Sequence, residues 1–317
     1  MKMRRVVTLL TVSLSLFTSR LLAQHVVATI PVGGSPFIVA ANPRTHRVYV
    51  TNQVGHSMTV IDGSSNQVVT TVQFSGSAIP FGVAVNPMTN RVYVAGGNVV
   101  VVFDGRTNTQ RASVRVGLGP DRIAINAKTN RIYVTNENDG TVSVIDGASN
   151  QVVATVPIGF GVIGIGVNPK TNLIYTAPFF CNCGTVSVID GSTDQVSTTF
   201  DLSGIQLDDV AVDPIQNRIY VATETDGLFV IDGNDNTVLA NVSGLKAPET
   251  VAVVPGMHEV VDADFGSNNA IFIDTNTFSI TQKVAVGAFP DGTAVDPTLR
   301  QIYVSSKGSN TVSVIAY

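Results

Sequence analysis

The chain has 317 residues, 44% apolar and only 13% charged, with a formal charge of −4 at pH 7. Low charge, 28 Gly and 14 Pro, with Val, Ile and Thr throughout, exclude a disordered or coiled-coil chain and suit a large all-β body. No basic stripe is present, which excludes a surface built for phosphate backbones and makes nucleic acid an unexpected partner.

Residues 1–23 read as a signal peptide. Lys2, Arg4 and Arg5 form a positive n-region, 6–17 is an apolar run of h-region length, and Leu21-Leu22-Ala23 offers a cleavage site before Gln24. Arg20 interrupts the run short of the ~20 apolar residues that a spanning helix needs. A short membrane anchor is the competing reading. No later segment is predicted to span a bilayer as a helix. Export is therefore expected, to the periplasm, the cell surface or the medium. Loss of residues 1–23 leaves 15 basic against 23 acidic side chains, so the mature chain is acidic.

From residue 24 onward one phrase returns at a fixed interval. It reads Val60-Ile61-Asp62-Gly63, then Val102-Phe103-Asp104-Gly105, Val144-Ile145-Asp146-Gly147, Val188-Ile189-Asp190-Gly191 and Val230-Ile231-Asp232-Gly233. Phe272-Ile273-Asp274-Thr275 and Val314-Ile315-Ala316-Tyr317 are degenerate copies. Successive Asp positions lie 42 or 44 residues apart, the mark of a repeat architecture. A second phrase precedes each: Arg47-Val48-Tyr49-Val50, Arg91-Val92-Tyr93-Val94, Arg131-Ile132-Tyr133-Val134, Leu173-Ile174-Tyr175-Thr176 and Arg218-Ile219-Tyr220-Val221. The sixth copy, Glu259-Val260-Val261-Asp262, has lost its tyrosine; the seventh, Gln301-Ile302-Tyr303-Val304, has lost its arginine.

Each unit divides into four short strands. In the first unit these are 38–41, 47–51, 58–61 and 68–72, separated by Asn-Pro, loop and Asp-Gly turns. Four antiparallel strands per ~42 residues match a propeller blade rather than a helical solenoid. The prediction is an all-β, seven-bladed β-propeller, a single domain over 24–317. The last unit stops after its third strand, and 26–30 is an orphan fourth strand. The N-terminal strand should therefore complete the last blade and remove both exposed edges.

The Arg-Val-Tyr-Val-Thr-Asn phrase at 47–52 and Arg-Ile-Tyr-Val-Thr-Asn at 131–136 resemble the YVTN β-propeller repeat family, over essentially all of 25–317. The resemblance implies a bacterial or archaeal surface-layer, secreted or periplasmic propeller. Similar seven-bladed propellers include lactonases, muconate-cyclising enzymes and quinoprotein-type subunits.

Loops that enter the first strand, and those between the second and third, should share one face around the channel. Alignment of the units puts Phe37, Phe81, Asp121, Ile163, Asp208, Glu249 and Asp291 at one mouth position. Four carboxylates there could hold Ca²⁺ through oxygen ligands, or a cationic or hydroxylated ligand beside an aromatic wall. The bland reading is that these acids only cap a Pro-Asp turn. The loop 177–184 carries Phe179 and Phe180, a candidate contact surface, and Cys181 and Cys183. Two cysteines one residue apart close only a tiny ring and cannot staple the fold; a zinc or copper site would need further ligands, and a candidate on that face, His56, belongs to the first unit, across the ring. His46 and His258 stand where other copies have a turn Asn, and His25 is expected to be mobile beside the cleavage site. Gly159-Phe160-Gly161-Val162-Ile163-Gly164 matches a dinucleotide fingerprint, but no helix follows.

No catalytic motif is found. The leading expectation is a monomeric exported binding module. It would use Phe37, Phe81, Phe179 and Phe180 as apolar contacts and Asp121, Asp208, Glu249 and Asp291 as polar ones, for a protein or small-molecule partner. A lactonase-like or muconate-cyclising enzyme and a surface-layer or adhesion component are the alternatives.

Overall fold

A computed structural model describes residues 23–74, 79–181, 183–202, 205–225 and 227–317. The leader predicted over 1–23 lies outside them except for its last residue. The described chain forms seven four-stranded antiparallel sheets and no helix, and no helix is long and apolar enough to cross a membrane.

Blade 1 comprises Pro36–Asn42, Arg47–Asn52, Ser57–Asp62 and Gln67–Gln73, running from the channel outward. Each predicted strand is present and one to three residues longer, because the flanking turn residues join the ladder. Blade 7 closes as expected. His25–Pro31 pairs antiparallel with Thr311–Ala316, Thr29 opposite Ser313 and Ile30 opposite Val312. His25 is not free, since it stands in that ladder opposite Ala316. Gln24 is also tied down: its Nε2 donates to Glu259 Oε2 at 2.9 Å, in blade 6.

The core is a ring of seven small cores, one per blade interface. Val48, Val50 and Ile61 of blade 1 meet Tyr303, Val312 and Val314 of blade 7. The same columns recur at every junction, as Tyr133, Val142 and Val144 against Ile165, Ile174 and Ile189 show. Both faces of each sheet are therefore covered, which is why the second strands read as continuous apolar runs rather than alternating ones. Each buried Val or Ile contributes about 1.5–3 kcal/mol.

The repeated letters are explained by what they touch in the next blade. Tyr49 Oη donates to the Gly105 carbonyl at 3.2 Å. The hydroxyl that follows it by two, Thr51, donates to the Phe81 carbonyl at 2.6 Å, and Thr135 donates to Ile163 at 2.9 Å. Asn52 Nδ2 stays within its blade and donates to Ser57 Oγ and Thr59 Oγ1. Blade 6 lacks the tyrosine, and Tyr317 occupies the Gly position of blade 7. Its ring packs against the same cluster that contains Val261.

On the face opposite the mouth, side-chain bonds tie successive blades. Asn42 donates to Asn90 at 2.9 Å, Asn86 to Asn130 at 2.8 Å, Asn126 to Asn172 at 2.6 Å and Asn168 to Asn217 at 2.7 Å. At the closing junction the pair is His46 Nδ1 with Asp296 Oδ2, 2.9 Å apart. His46 and His258 are turn residues with φ of 55° and 54°, as their alignment with Asn predicts. Between blades 5 and 6 the belt changes. Asp213 Oδ1 accepts from the Ile215 and Gln216 backbones, as Asn86 Oδ1 does from Met88 and Thr89, but a carboxylate has no amide to donate across the junction, and a cleft of about 300 Å³ opens between turns 213–216 and 253–259.

Candidate functional site

Every inner strand except those of blades 4 and 5 begins at a proline, and in all seven the register shifts within the first few residues. Such a bulge breaks the two-residue alternation and re-aims side chains. The mouth position and its successor are both affected, so each blade can offer two neighbouring residues to the channel end. Hydroxyls from the preceding blade then pin the mouth backbone: Thr51 on Phe81, Thr250 on Asp291 at 2.6 Å, and Ser305 on Phe37.

One wall is assembled from blades 7, 1, 2 and 3. The Phe37 and Phe81 rings meet edge to face, 6.1 Å between centroids. Arg122 lies over the Phe37 ring, its Cζ 4.7 Å from the centroid, and Lys307 Nζ is 5.1 Å from the same centroid. Each cation has an acid at hand: Lys307 Nζ is 3.0 Å from Asp291 Oδ2, and Arg122 Nε is 3.6 Å from Asp121 Oδ1. These charges are out of bulk water. Asp291 is 1% exposed, Arg122 6% and Asp121 7%.

The other wall belongs to blades 5 and 6, with Asp208, Asp209 and Glu249. Asp208 is 5% exposed, while Asp209 and Glu249 are half-buried. Burial, reinforced by Glu249, pushes the Asp208 carboxyl up to about 9. Burial and Asp291 push Glu249 up to about 7. Asp121 and Asp209 are likewise raised by burial, against the pull of Arg122. For Arg122, burial opposes the charge, but Asp121, Asp209, Asp291 and Glu249 outweigh it, so the guanidinium stays charged. Behind this wall Asp262 is fully buried, with neither carboxyl oxygen partnered among the described residues; burial and the nearby acids raise its pKa well above normal.

The structure thus brings Phe37, Phe81, Asp121, Asp208, Glu249 and Asp291 to one end of the channel. It adds Arg122, Lys307, Asp209 and Asp262, which alignment on one column did not show. Arg122 and Asp209 did carry a signal: the column that follows the mouth reads Ile38, Gly82, Arg122, Gly164, Asp209, Thr250 and Gly292. Glycine there lets neighbouring inner strands approach, since a Cβ on Gly164 would meet the Asp208 carbonyl at 2.6 Å.

Phe179 and Phe180 stand apart, at the rim of blade 4. Their rings contact each other edge to face at 4.8 Å, and Phe180 is 53% exposed. Both backbone amides donate to the Gly161 carbonyl, which seats the loop on the entry turn of its own blade. Cys181 and Cys183 are joined to each other in a disulfide, so neither offers a thiolate to a metal. No group of three His, Cys, Asp or Glu side chains among the described residues could hold a metal ion. The Gly159–Gly164 stretch leads into a strand, Val162–Asn168.

No family model matches the chain, and no curated protein matches it. Among solved structures, a chain of Kuenenia stuttgartiensis hydrazine synthase is similar, with a TM-score of 0.81 and 19% identity, over 90% of this chain and 96% of that one. The likeness is one of fold. With 1708 solved chains matching, the propeller does not by itself select an activity.

Proposed function

We propose that this protein is an exported β-propeller binding module whose channel mouth receives a small-molecule or protein partner. The observation that carries the reading is the Phe37 ring with Arg122 and Lys307 over it, opposite Asp208 and Glu249. Six of the seven blades contribute to one end of the channel. Buried charges of both signs beside half-buried aromatic surface are costly to stability and are the make-up of a recognition site. The charged n-region and apolar run of 1–23 support export, as does the resemblance of the Tyr-Val-Thr-Asn phrases to the YVTN repeat family. The rim aromatics Phe179 and Phe180 offer a second contact to a large partner.

A thermal-shift screen of small molecules against the wild type, Phe81→Ala and Ile215→Ala tests this. Ligands of the mouth should lose their shift in Phe81→Ala and keep it in Ile215→Ala, which lies on the opposite face. A screen without one ligand sensitive to Phe81 would remove the mouth as the site.

One observation favours a second reading, an enzyme of lactonase-like or muconate-cyclising type. Asp208 and Glu249 are neighbours with carboxyls held at about 9 and about 7, which suits an acid and a base at neutral pH. Turnover of any member of a lactone panel, abolished by Glu249→Gln, would establish it; no turnover across the panel removes it. A surface-layer or adhesion role is a further alternative, and fractionation with the cell envelope would be its signature.

A further inference from the structure

The two walls of the mouth are unequal in charge. On the wall of blades 7, 1, 2 and 3, each acid has a cation of its own: Lys307 beside Asp291 and Arg122 beside Asp121. On the wall of blades 5 and 6, Asp208, Asp209 and Glu249 stand together without a basic side chain from either blade in contact among the described residues. Asp208 is 95% buried and has no hydrogen-bond partner among the described residues, and the charges that act on it are Glu249, Arg122, Asp209 and Glu224. Behind it, Asp262 presents two more unpartnered oxygens. An unpaired buried acid group next to further acids is a costly arrangement that a cation would relieve.

The cation's chemistry follows from the spacing. Among the described residues no three carboxylates are drawn together as a metal site. An ammonium group instead donates along three separated directions and can reach carboxylates that do not share one centre. Across the channel, the edge-to-face Phe37 and Phe81 pair gives half-buried aromatic surface to the rest of such a molecule. The chain already uses this pairing, since its own Arg122 and Lys307 rest on Phe37.

We infer that the mouth takes an organic amine, whose ammonium group sits against Asp209, Glu249 and Asp208 and whose hydrocarbon or aromatic body lies toward Phe81. The inference rests on the reading of the mouth as a binding site and names its ligand class. The ammonium can come from a free amine or from a lysine side chain of a protein. Binding should be linked to protons. Placing a positive charge beside Glu249 and Asp208 favours their ionised forms, so protons held by these carboxyls pass to the buffer.

Calorimetric titrations of the full mature protein with phenethylamine, N-acetyl-lysinamide, 3-phenylpropanoate and calcium chloride test it, in two buffers of different ionisation enthalpy at neutral pH. At least one of the two amines should saturate and release protons, and its affinity should fall about tenfold or more in both Glu249→Gln and Asp209→Asn, as loss of one partner of a charge-assisted hydrogen bond implies. Phenethylamine alone indicates a free amine; N-acetyl-lysinamide alone or equally indicates a side chain. Both variants are checked for an unchanged fold by melting, and Glu249→Gln is the safer one because Asp209 also accepts from the Val251 backbone. Binding of 3-phenylpropanoate as tight as either amine would overturn the inference. So would amine binding unchanged in both variants, or calcium binding lost in the variants while no amine binds. If no amine binds but another compound shows Phe81-dependent binding, the amine class falls and the mouth survives as a site.

Discussion

Tyr49 of blade 1 and Gly105 of blade 2 are locked together: the phenol donates to the glycine carbonyl at 3.2 Å. The close approach of phenol and turn glycine recurs at Tyr133–Gly191 and Tyr303–Gly63, which explains why the glycine of the Asp-Gly turn is repeated, although the Tyr93, Tyr133, Tyr175 and Tyr220 hydroxyls have no hydrogen-bond partner among the described residues and Tyr303 donates to Gln301 Oε1. At Gly191 a Cβ would stand 2.7 Å from Tyr133 Oη. Gly191→Ala should therefore destabilise by about 1–3 kcal/mol through overpacking, and Tyr49→Phe by about 1 kcal/mol through one lost hydrogen bond. Urea midpoints check both, and a neutral Gly191→Ala would show that the turn glycine is not kept for the phenol.

Val261 and Tyr317 exchange these roles. The blade that lacks the tyrosine faces the blade whose turn carries one, and both residues belong to one cluster. Val261→Tyr alone should lose stability, since two rings would compete for one space. Val261→Tyr with Tyr317→Gly should recover much of the loss, with a coupling of about 1 kcal/mol or more. Additive effects in the double-mutant cycle would mean that the two side chains do not share the space.

His46 closes the belt at the junction of blades 7 and 1, with φ of 55° and a 2.9 Å bond to Asp296. His46→Asn should be nearly neutral, because Asn tolerates that backbone and fills this position in the belts of blades 2–5. His46→Val should cost about 1–3 kcal/mol, from a β-branched residue at positive φ and from an Asp296 Oδ2 that loses its partner while Oδ1 keeps the Thr298 and Leu299 amides. Equal melting temperatures for the two variants would refute this.

Closure itself is testable. Removal of residues 24–32 deletes the strand that pairs with Thr311–Ala316 and the buried Ile30. Loss of one buried aliphatic side chain alone costs about 2–5 kcal/mol, so the melting temperature should fall by at least about 5 °C. An unchanged value would mean that the ring holds without this strand.

Stability should decline as pH rises. The unfolded carboxyls titrate near ~4, whereas folded Asp208 is held at about 9 and Glu249 at about 7. Between those limits the native state keeps protons that the unfolded chain has lost, so each ionisation works against folding. The slope is at most about 1.4 kcal/mol per pH unit for each group, over about pH 4–7 for Glu249 and about pH 4–9 for Asp208. Asp208→Asn should flatten the profile, most clearly above neutrality, where Asp208 remains protonated in the native state. Parallel profiles for wild type and variant would contradict the raised value.

Much of the architecture was legible in residue spacing. The recurrence of Val-Ile-Asp-Gly every 42 residues carried the number of blades, because each copy must build the same four strands. The missing strand after Thr311–Ala316 and the surplus one at His25–Pro31 carried the closure. Six mouth residues were legible because equivalent positions of a closed ring must share one end. Arg122 and Asp209 were passed over because alternation assigns the residue after Asp121 or Asp208 to the opposite face of the sheet, and the bulges in these strands remove that alternation.

The amino-acid order alone determined the repeat, the four strands per unit and the ring, since these depend on local turn chemistry and on a period that any one copy displays. Only the tertiary structure decided the partners. Lys307 comes to rest over Phe37, 270 positions earlier in the chain, because ring closure sets the last blade beside the first. The acids of blades 5 and 6 stay unpaired because the cations that oppose them are fixed on the far wall.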